Sequence, residues 1–159
     1  LYRQLRSEYF ERVSAIDFTM AHDDGKNPDD WSQAKAVLVG VSRVGKTPLS
    51  IYLAVLGWKI ANLPLVPQIP VPESLFLLDP QRVIGLTVEP SQLLQYRLHR
   101  QIQLGAPGPS AYADRQSIYE EIREALRVFQ KGRFKIIDMT DKTIEQGADE
   151  IIRYVSYSV

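Results

Sequence analysis

Residues 40–47 read Gly40-Val41-Ser42-Arg43-Val44-Gly45-Lys46-Thr47, and they satisfy G-x-x-x-x-G-K-T at every fixed position. A loop of this composition binds phosphate, for reasons that belong to each residue type. Gly40 and Gly45 allow backbone angles and a close approach that a side chain would block. The loop amides and the positive end of the following helix surround a phosphate chain. Lys46 brings a point charge to the outer phosphates, and the Thr47 hydroxyl can coordinate Mg²⁺. Arg43 stands ready as a second cation at the tip. Pro48 departs from the common pattern, because it has no amide hydrogen for the inner phosphate. A first-turn amide is free anyway, so the helix tolerates it. The cradle still has one donor fewer, which predicts an atypical inner-phosphate pose or modest affinity.

An enzyme of this kind also needs a second carboxylate for its metal. Asp138 ends the run Phe134-Lys135-Ile136-Ile137 and has the right form, though a strand-end carboxylate without a metal would look the same. Asp23 and Asp24 lie in a loop ahead of the phosphate loop. Folded over it, one of them could orient and deprotonate an incoming hydroxyl; as ordinary turn residues they would simply be solvated. His22 has no visible partner and reads as structural. Arg97 and Arg100, three residues apart, share a helix face. They could neutralise phosphate charge in a transition state or form a solvated surface. Trp31 and Trp58 carry no functional signal.

These groups need elements to hold them. Tyr2, Leu5, Tyr9, Val13 and Ile16 recur at helical spacing and predict a first helix fading near Met20, with its aromatic residues packed. Turn formers fill residues 22–30. Ala36-Val37-Leu38-Val39 is a short apolar run, the form of a strand buried on both faces. It enters the phosphate loop directly, and a helix stopped by Gly57 follows. Strands are predicted near residues 59–63, 83–88 and 134–137, with helices over 90–104 and 116–131 and from about 143. Gly132 is expected to close the penultimate helix, and Asp141 or Thr143 to cap the last. Pro64, Pro67, Pro70 and Pro72 predict a stiff, extended stretch, and residues 105–110 a break. Strands alternating with helices predict one α/β domain over residues 1–159, with a mainly parallel sheet. Residues 1–30 form a leading helix and loop, and 36–159 the α/β core.

The bulk numbers exclude other classes. The 159 residues are 45% hydrophobic and 24% charged, ordinary values for a globular chain. Net charge is zero, so there is no global basic field for nucleic acid or an anionic membrane. No cysteine is present, which excludes disulfides and thiolate metal sites and fits a reducing compartment. The chain does not begin with Met and looks like part of a longer protein.

Three segments together carry a family resemblance: His22-Asp23-Asp24-Gly25, Gly40-Val41-Ser42-Arg43 with Lys46-Thr47-Pro48-Leu49-Ser50, and Ala61-Asn62-Leu63-Pro64-Leu65-Val66-Pro67. Gly85-Leu86-Thr87 and Ile137-Asp138-Met139-Thr140 add to it. The chain resembles the regulatory proteins of pyruvate, phosphate dikinase and phosphoenolpyruvate synthase, and Pro48 belongs to that family pattern. The resemblance implies a bifunctional serine/threonine kinase and phosphorylase. One reaction phosphorylates a threonine of the target with ADP as donor and Mg²⁺ as cofactor. The other removes that phosphate with inorganic phosphate, giving pyrophosphate. Carried over by position, Lys46 and Thr47 hold the donor, and Asp23 and Asp24 become the candidates for the base. The implied partner is the dikinase or the synthase, with no nucleic acid and no membrane. A cytoplasmic location (or a plastid, in a plant) and a homodimer are the accompanying expectations. The resemblance also implies an N-terminal region beyond this stretch. The competing expectations are a P-loop kinase of small molecules and a nucleotide-binding fragment with no transfer activity.

Overall fold

In the computed structural model, which describes residues 2–105 and 111–157, the run Ala36-Val37-Leu38-Val39 becomes the strand around which the others are laid. This strand, β1 (Ala36–Gly40), is buried along its whole length, as a strand with neighbours on both edges and helices on both faces must be. It pairs in parallel with β2 (Ile60–Pro64) on one edge and β3 (Val83–Thr87) on the other. β4 (Lys135–Asp138) joins β3, again in parallel, and the order is β2-β1-β3-β4. The expected α/β class with a parallel sheet is what forms.

Five helices cover this sheet among the described residues: α1 (Tyr2–Ala21), α2 (Lys46–Val55), α3 (Pro90–Gln103), α4 (Arg115–Gly132) and α5 (Ile144–Tyr157). α1 and α5 pack beside α2, and α3 packs with α4. The chain leaves β1 toward β2 and then returns across β1 to reach β3. In open α/β sheets the crevice at such a reversal, beyond the carboxyl ends of the strands, is where ligands bind. Here that crevice lies at the ends of β1 and β3.

Two expectations change. α1 covers its predicted range, yet Tyr2, Tyr9 and Phe10 are 75%, 57% and 54% exposed. Only Ala15 and Thr19 of this helix are buried. Helical spacing marks a face but supplies nothing for it to face, and the first half of α1 runs past the body that would cover it. Gly132 stays inside α4, and Arg133 takes the left-handed closing position with φ 57°. At the last helix, Thr143 and not Asp141 makes the cap. The Gln146 amide donates to Thr143 Oγ1 at 3.1 Å, while the Thr143 amide donates to Gln146 Oε1 at 2.9 Å. Most of the break expected over 105–110 lies outside the described residues. No helix among the described residues is long and apolar enough to cross a membrane.

Candidate active site

The phosphate loop joins β1 to α2 and is shaped by what its backbone must avoid. A Cβ on Gly40 would lie 2.8 Å from Val44 Cγ1 and 3.0 Å from the Leu86 carbonyl oxygen. Gly45, at the N-cap of α2, adopts φ 107°, where an L side chain is strained. Arg43 takes φ 72° although it carries a side chain; a residue other than glycine holds such angles at a cost of about 1–2 kcal/mol, and outliers of this kind cluster at functional sites. Lys46 is buried, and its Nζ donates to the Val41 carbonyl at 2.7 Å. Burial pushes the Lys46 ammonium down to about 8; Asp24 opposes that fall, while Arg97 and Arg43 add to it.

The acidic pair reaches this loop across the sheet. His22, at the end of α1, is buried, and its Nδ1 donates to the Phe18 carbonyl at 2.7 Å. Its ring stacks on Phe18 at 3.8 Å, and its Nε2 lies 3.3 Å from Asp30 Oδ2. His22 is therefore an anchor for the loop that follows. From there the chain turns sharply, with Asp24 at φ 60° and Gly25 at φ 83°. The Thr47 hydroxyl donates to Asp23 Oδ1 at 3.1 Å. A hydroxyl and a carboxylate side by side at a helix N-terminus, next to a phosphate loop, make the oxygen pair that Mg²⁺ accepts alongside substrate phosphates and water.

Asn62, in the middle of β2, has no role in the sequence reading, although a carboxamide inside the apolar run Ile60-Ala61-Asn62-Leu63 is the signal that could have marked it. It is fully buried. Its Nδ2 donates to Asp23 Oδ1 at 2.6 Å and to Ser50 Oγ at 3.2 Å, and its Oδ1 accepts from the Asp24 amide at 2.9 Å. The Asn62 amide in turn donates to the His22 carbonyl at 3.3 Å.

Arg97 points toward the phosphate loop but is fully engaged there. It is 1% exposed. Its Nε and one terminal nitrogen donate to the Ser42 carbonyl at 3.3 and 3.2 Å. That terminal nitrogen and the other one grip Glu121 at 3.2 and 2.5 Å, and the second also donates to the Tyr112 carbonyl at 3.0 Å. All five N–H donors are thus in use, so in this conformation the guanidinium holds the loop's backbone and offers nothing to a phosphate. Arg100 is half-buried one turn further along α3, and among the described residues it makes no hydrogen bond to the phosphate loop.

Asp138 ends β4, on the edge of the sheet with β3 between it and β1. Its Oδ1 accepts from the Thr140 hydroxyl at 2.6 Å and the Thr140 amide at 3.0 Å. The Thr140 hydroxyl holds this carboxyl below the usual carboxylate range. The carboxylate brought to Thr47 is Asp23, and Asp138 caps the turn after its own strand.

A cleft of about 880 Å³ opens beside Asp24 and Val41. The proline-rich residues 64–72 form one wall; they are not extended throughout as expected, because the chain turns at residues 66–69, where the Ile69 amide donates to the Val66 carbonyl at 3.2 Å and Gln68 takes φ 68°. α4 forms the other wall with Glu120, Glu124 and Val128. Asp24 lines this cleft, whereas Asp23 faces Thr47 and Asn62.

Comparison with known proteins gives the family. A family model described as kinase/pyrophosphorylase matches residues 1–152. A pyruvate, phosphate dikinase regulatory protein of Chloroflexus aurantiacus is 52% identical over 156 residues, which cover 98% of this chain and 56% of the relative. A protein of the same name from Streptococcus sanguinis is 47% identical over 145 residues, 91% of this chain and 53% of its own length. One from Desulfotalea psychrophila is 43% identical over 156 residues, 98% and 55%. The chain thus spans about half the length of the curated relatives it matches. With a phosphate loop at the reversal of a parallel sheet and an acidic pair carried onto it, the chain belongs to the kinase/pyrophosphorylase family.

Proposed function

We propose that this chain carries the phosphotransfer site of an ADP-dependent protein threonine kinase and phosphate-dependent phosphorylase acting on pyruvate, phosphate dikinase. The observation that supports this most directly is the Asp23–Thr47 hydrogen bond, which puts a carboxylate at the mouth of a phosphate loop. The names of the relatives supply the target.

In the forward reaction the threonine oxygen attacks the β-phosphorus of ADP. The bond from that phosphorus to the oxygen retained by AMP breaks, and the hydroxyl proton passes to a carboxylate. Asp24 is the fitting acceptor, because it lines the cleft from which a protein hydroxyl can approach. Lys46 and the loop amides hold the diphosphate, and Arg43 lies exposed at the tip. Thr47 and Asp23 would hold Mg²⁺, which when bound neutralises charge on the phosphate oxygens. In the opposite reaction an oxygen of inorganic phosphate attacks the phosphothreonine phosphorus. The threonine oxygen leaves, takes up a proton, and pyrophosphate forms. The reading implies a cytoplasmic protein.

The test incubates the protein and Mg²⁺ with ADP or ATP and purified phosphohistidine-form dikinase, with phosphoenolpyruvate synthase in parallel. Threonine phosphorylation is followed by mass spectrometry. ADP-dependent labelling of the dikinase with release of AMP is expected, and inorganic phosphate should remove the label as pyrophosphate. Transfer from ATP alone, or to a free metabolite in place of the protein, would overturn the reading in favour of a small-molecule kinase.

A further inference from the structure

The Asn-x-Pro-Leu-Val-Pro segment begins with a residue whose side chain is placed for a task that no part of the function above has yet used. Asn62 is 0% exposed and is fixed by β2, where it stands opposite Leu38 of β1. Its carboxamide has two donors and one acceptor atom, and each is taken by a different part of the site. One N–H goes to Asp23 Oδ1, the other to Ser50 Oγ on α2, and the oxygen receives the Asp24 amide. The direction of these bonds is determined. Ser50 spends its own hydroxyl hydrogen on the Lys46 carbonyl at 2.7 Å, so it can only accept from Asn62.

We propose that Asn62 is the positioning residue of the site, dividing the acidic pair into a carboxylate turned to Thr47 and a carboxylate turned to the cleft. This inference rests on the kinase reading for its catalytic meaning, but the geometry is independent of it. By donating to Asp23 Oδ1, the carboxamide holds that oxygen against the Thr47 hydroxyl. By accepting the next amide, it fixes the left-handed turn at Asp24 that sends the second side chain away from the first. Aspartate at position 62 is nearly isosteric but reverses the polarity of both contacts made by Nδ2, placing a carboxylate oxygen against Asp23 and Ser50. Alanine leaves the Asp24 amide and the Asp23 carboxylate without their buried partner.

Wild type, Asn62→Ala and Asn62→Asp are compared by two readouts. The first is amide hydrogen exchange, which needs no ligand. In Asn62→Ala the Asp24 amide should exchange faster by about tenfold or more, while the Leu38 and Ile84 amides of the sheet keep their protection. The second is the gain in ADP affinity that Mg²⁺ produces, measured by calorimetry with and without the metal. Asn62→Ala should lose that gain, with its metal-free ADP affinity kept within about twofold, because the loop amides and Lys46 are untouched. Asn62→Asp should lose it as well, because a carboxylate oxygen then stands where the donor toward Asp23 stood. A residue that only fills space would tolerate the nearly isosteric aspartate. An Asp24 amide still protected in Asn62→Ala, or an undiminished Mg²⁺ effect in either variant, would overturn the proposal. If the dikinase is not labelled, the kinase reading fails while the exchange result stands by itself.

Discussion

Thr47 and Asp23, twenty-four positions apart in the chain, are joined by a 3.1 Å hydrogen bond from the threonine hydroxyl to the aspartate Oδ1. The bond ties the loop after α1 to the first turn of α2, and it separates the tasks of two adjacent acids. Asp23 is held by Thr47 and Asn62, and Asp24 faces the open cleft.

The first prediction is that the two carboxylates fail differently when neutralised. Asp24→Asn should lower threonine phosphorylation by about 10²-fold or more, as expected for loss of a general base, with ADP affinity nearly unchanged. Asp23→Asn should instead weaken ADP binding in the presence of Mg²⁺ and leave metal-free binding close to wild type. Calorimetric titrations of both variants, with transfer rates beside them, check this. Full transfer by Asp24→Asn would remove it as the base.

Nucleotide affinity should depend on pH through Lys46. Its folded value of about 8 lies below the ordinary lysine value of 10.5, so the ammonium that a phosphate needs is lost from the free protein above about pH 8. ADP affinity should therefore decline as pH rises through 8, by at most about tenfold per unit. Stability carries the opposite sign. The unfolded chain binds the Lys46 proton more tightly, so this residue's contribution is fully present above 10.5 and is lost as pH falls through about 8. Lys46→Met should flatten both profiles, and isothermal titration and thermal melts across pH 7–10 would record it.

Arg97 should matter to the stability of the fold before it matters to chemistry. Removing one partner of its buried pair with Glu121 should cost about 3–5 kcal/mol in either Arg97→Ala or Glu121→Ala, because each leaves a buried charge. The double variant should cost less than the sum of the two. Arg97→Lys should not restore the wild-type melting point, since an ammonium cannot reach the Ser42 carbonyl and both Glu121 oxygens together. Chemical denaturation of the four proteins measures the coupling.

Gly40→Ala should reduce stability by about 1–3 kcal/mol, because the added methyl meets Val44 at 2.8 Å and the Leu86 carbonyl at 3.0 Å. The loop can relieve that contact only by moving Val44, so ADP binding should weaken as well. Equal binding with reduced stability would show that the loop reshapes without loss of its cradle.

The candidate site was legible to different degrees. The phosphate loop could be read whole, down to the two glycines, because its function depends on consecutive backbone positions. His22 was readable as structural, and Asp23 and Asp24 as acids near the loop, but not which acid faced what. Asp138, at the end of β4, has the flanking pattern of a metal carboxylate. That strand lies at the edge, and Asp138 is bonded to Thr140 two residues on. Arg97 and Arg100 looked equivalent at three residues' separation. One is buried with five bonds, and the other lies half-exposed, because a helix turns each position toward a different neighbour.

By itself the sequence determined what is set by neighbours along the chain. It specified the α/β alternation, the apolar run that must be β1, the phosphate loop and the helix it opens, since local backbone preference and short-range periodicity are enough to produce them. Only the tertiary structure decided that β2 stands beside β1, that Asn62 consequently lies beneath the acidic loop, and that Asp23 meets Thr47. Those contacts join residues separated by 24 to 39 positions. Strand order and register bring them together, through hydrogen bonds between strands that no local pattern encodes.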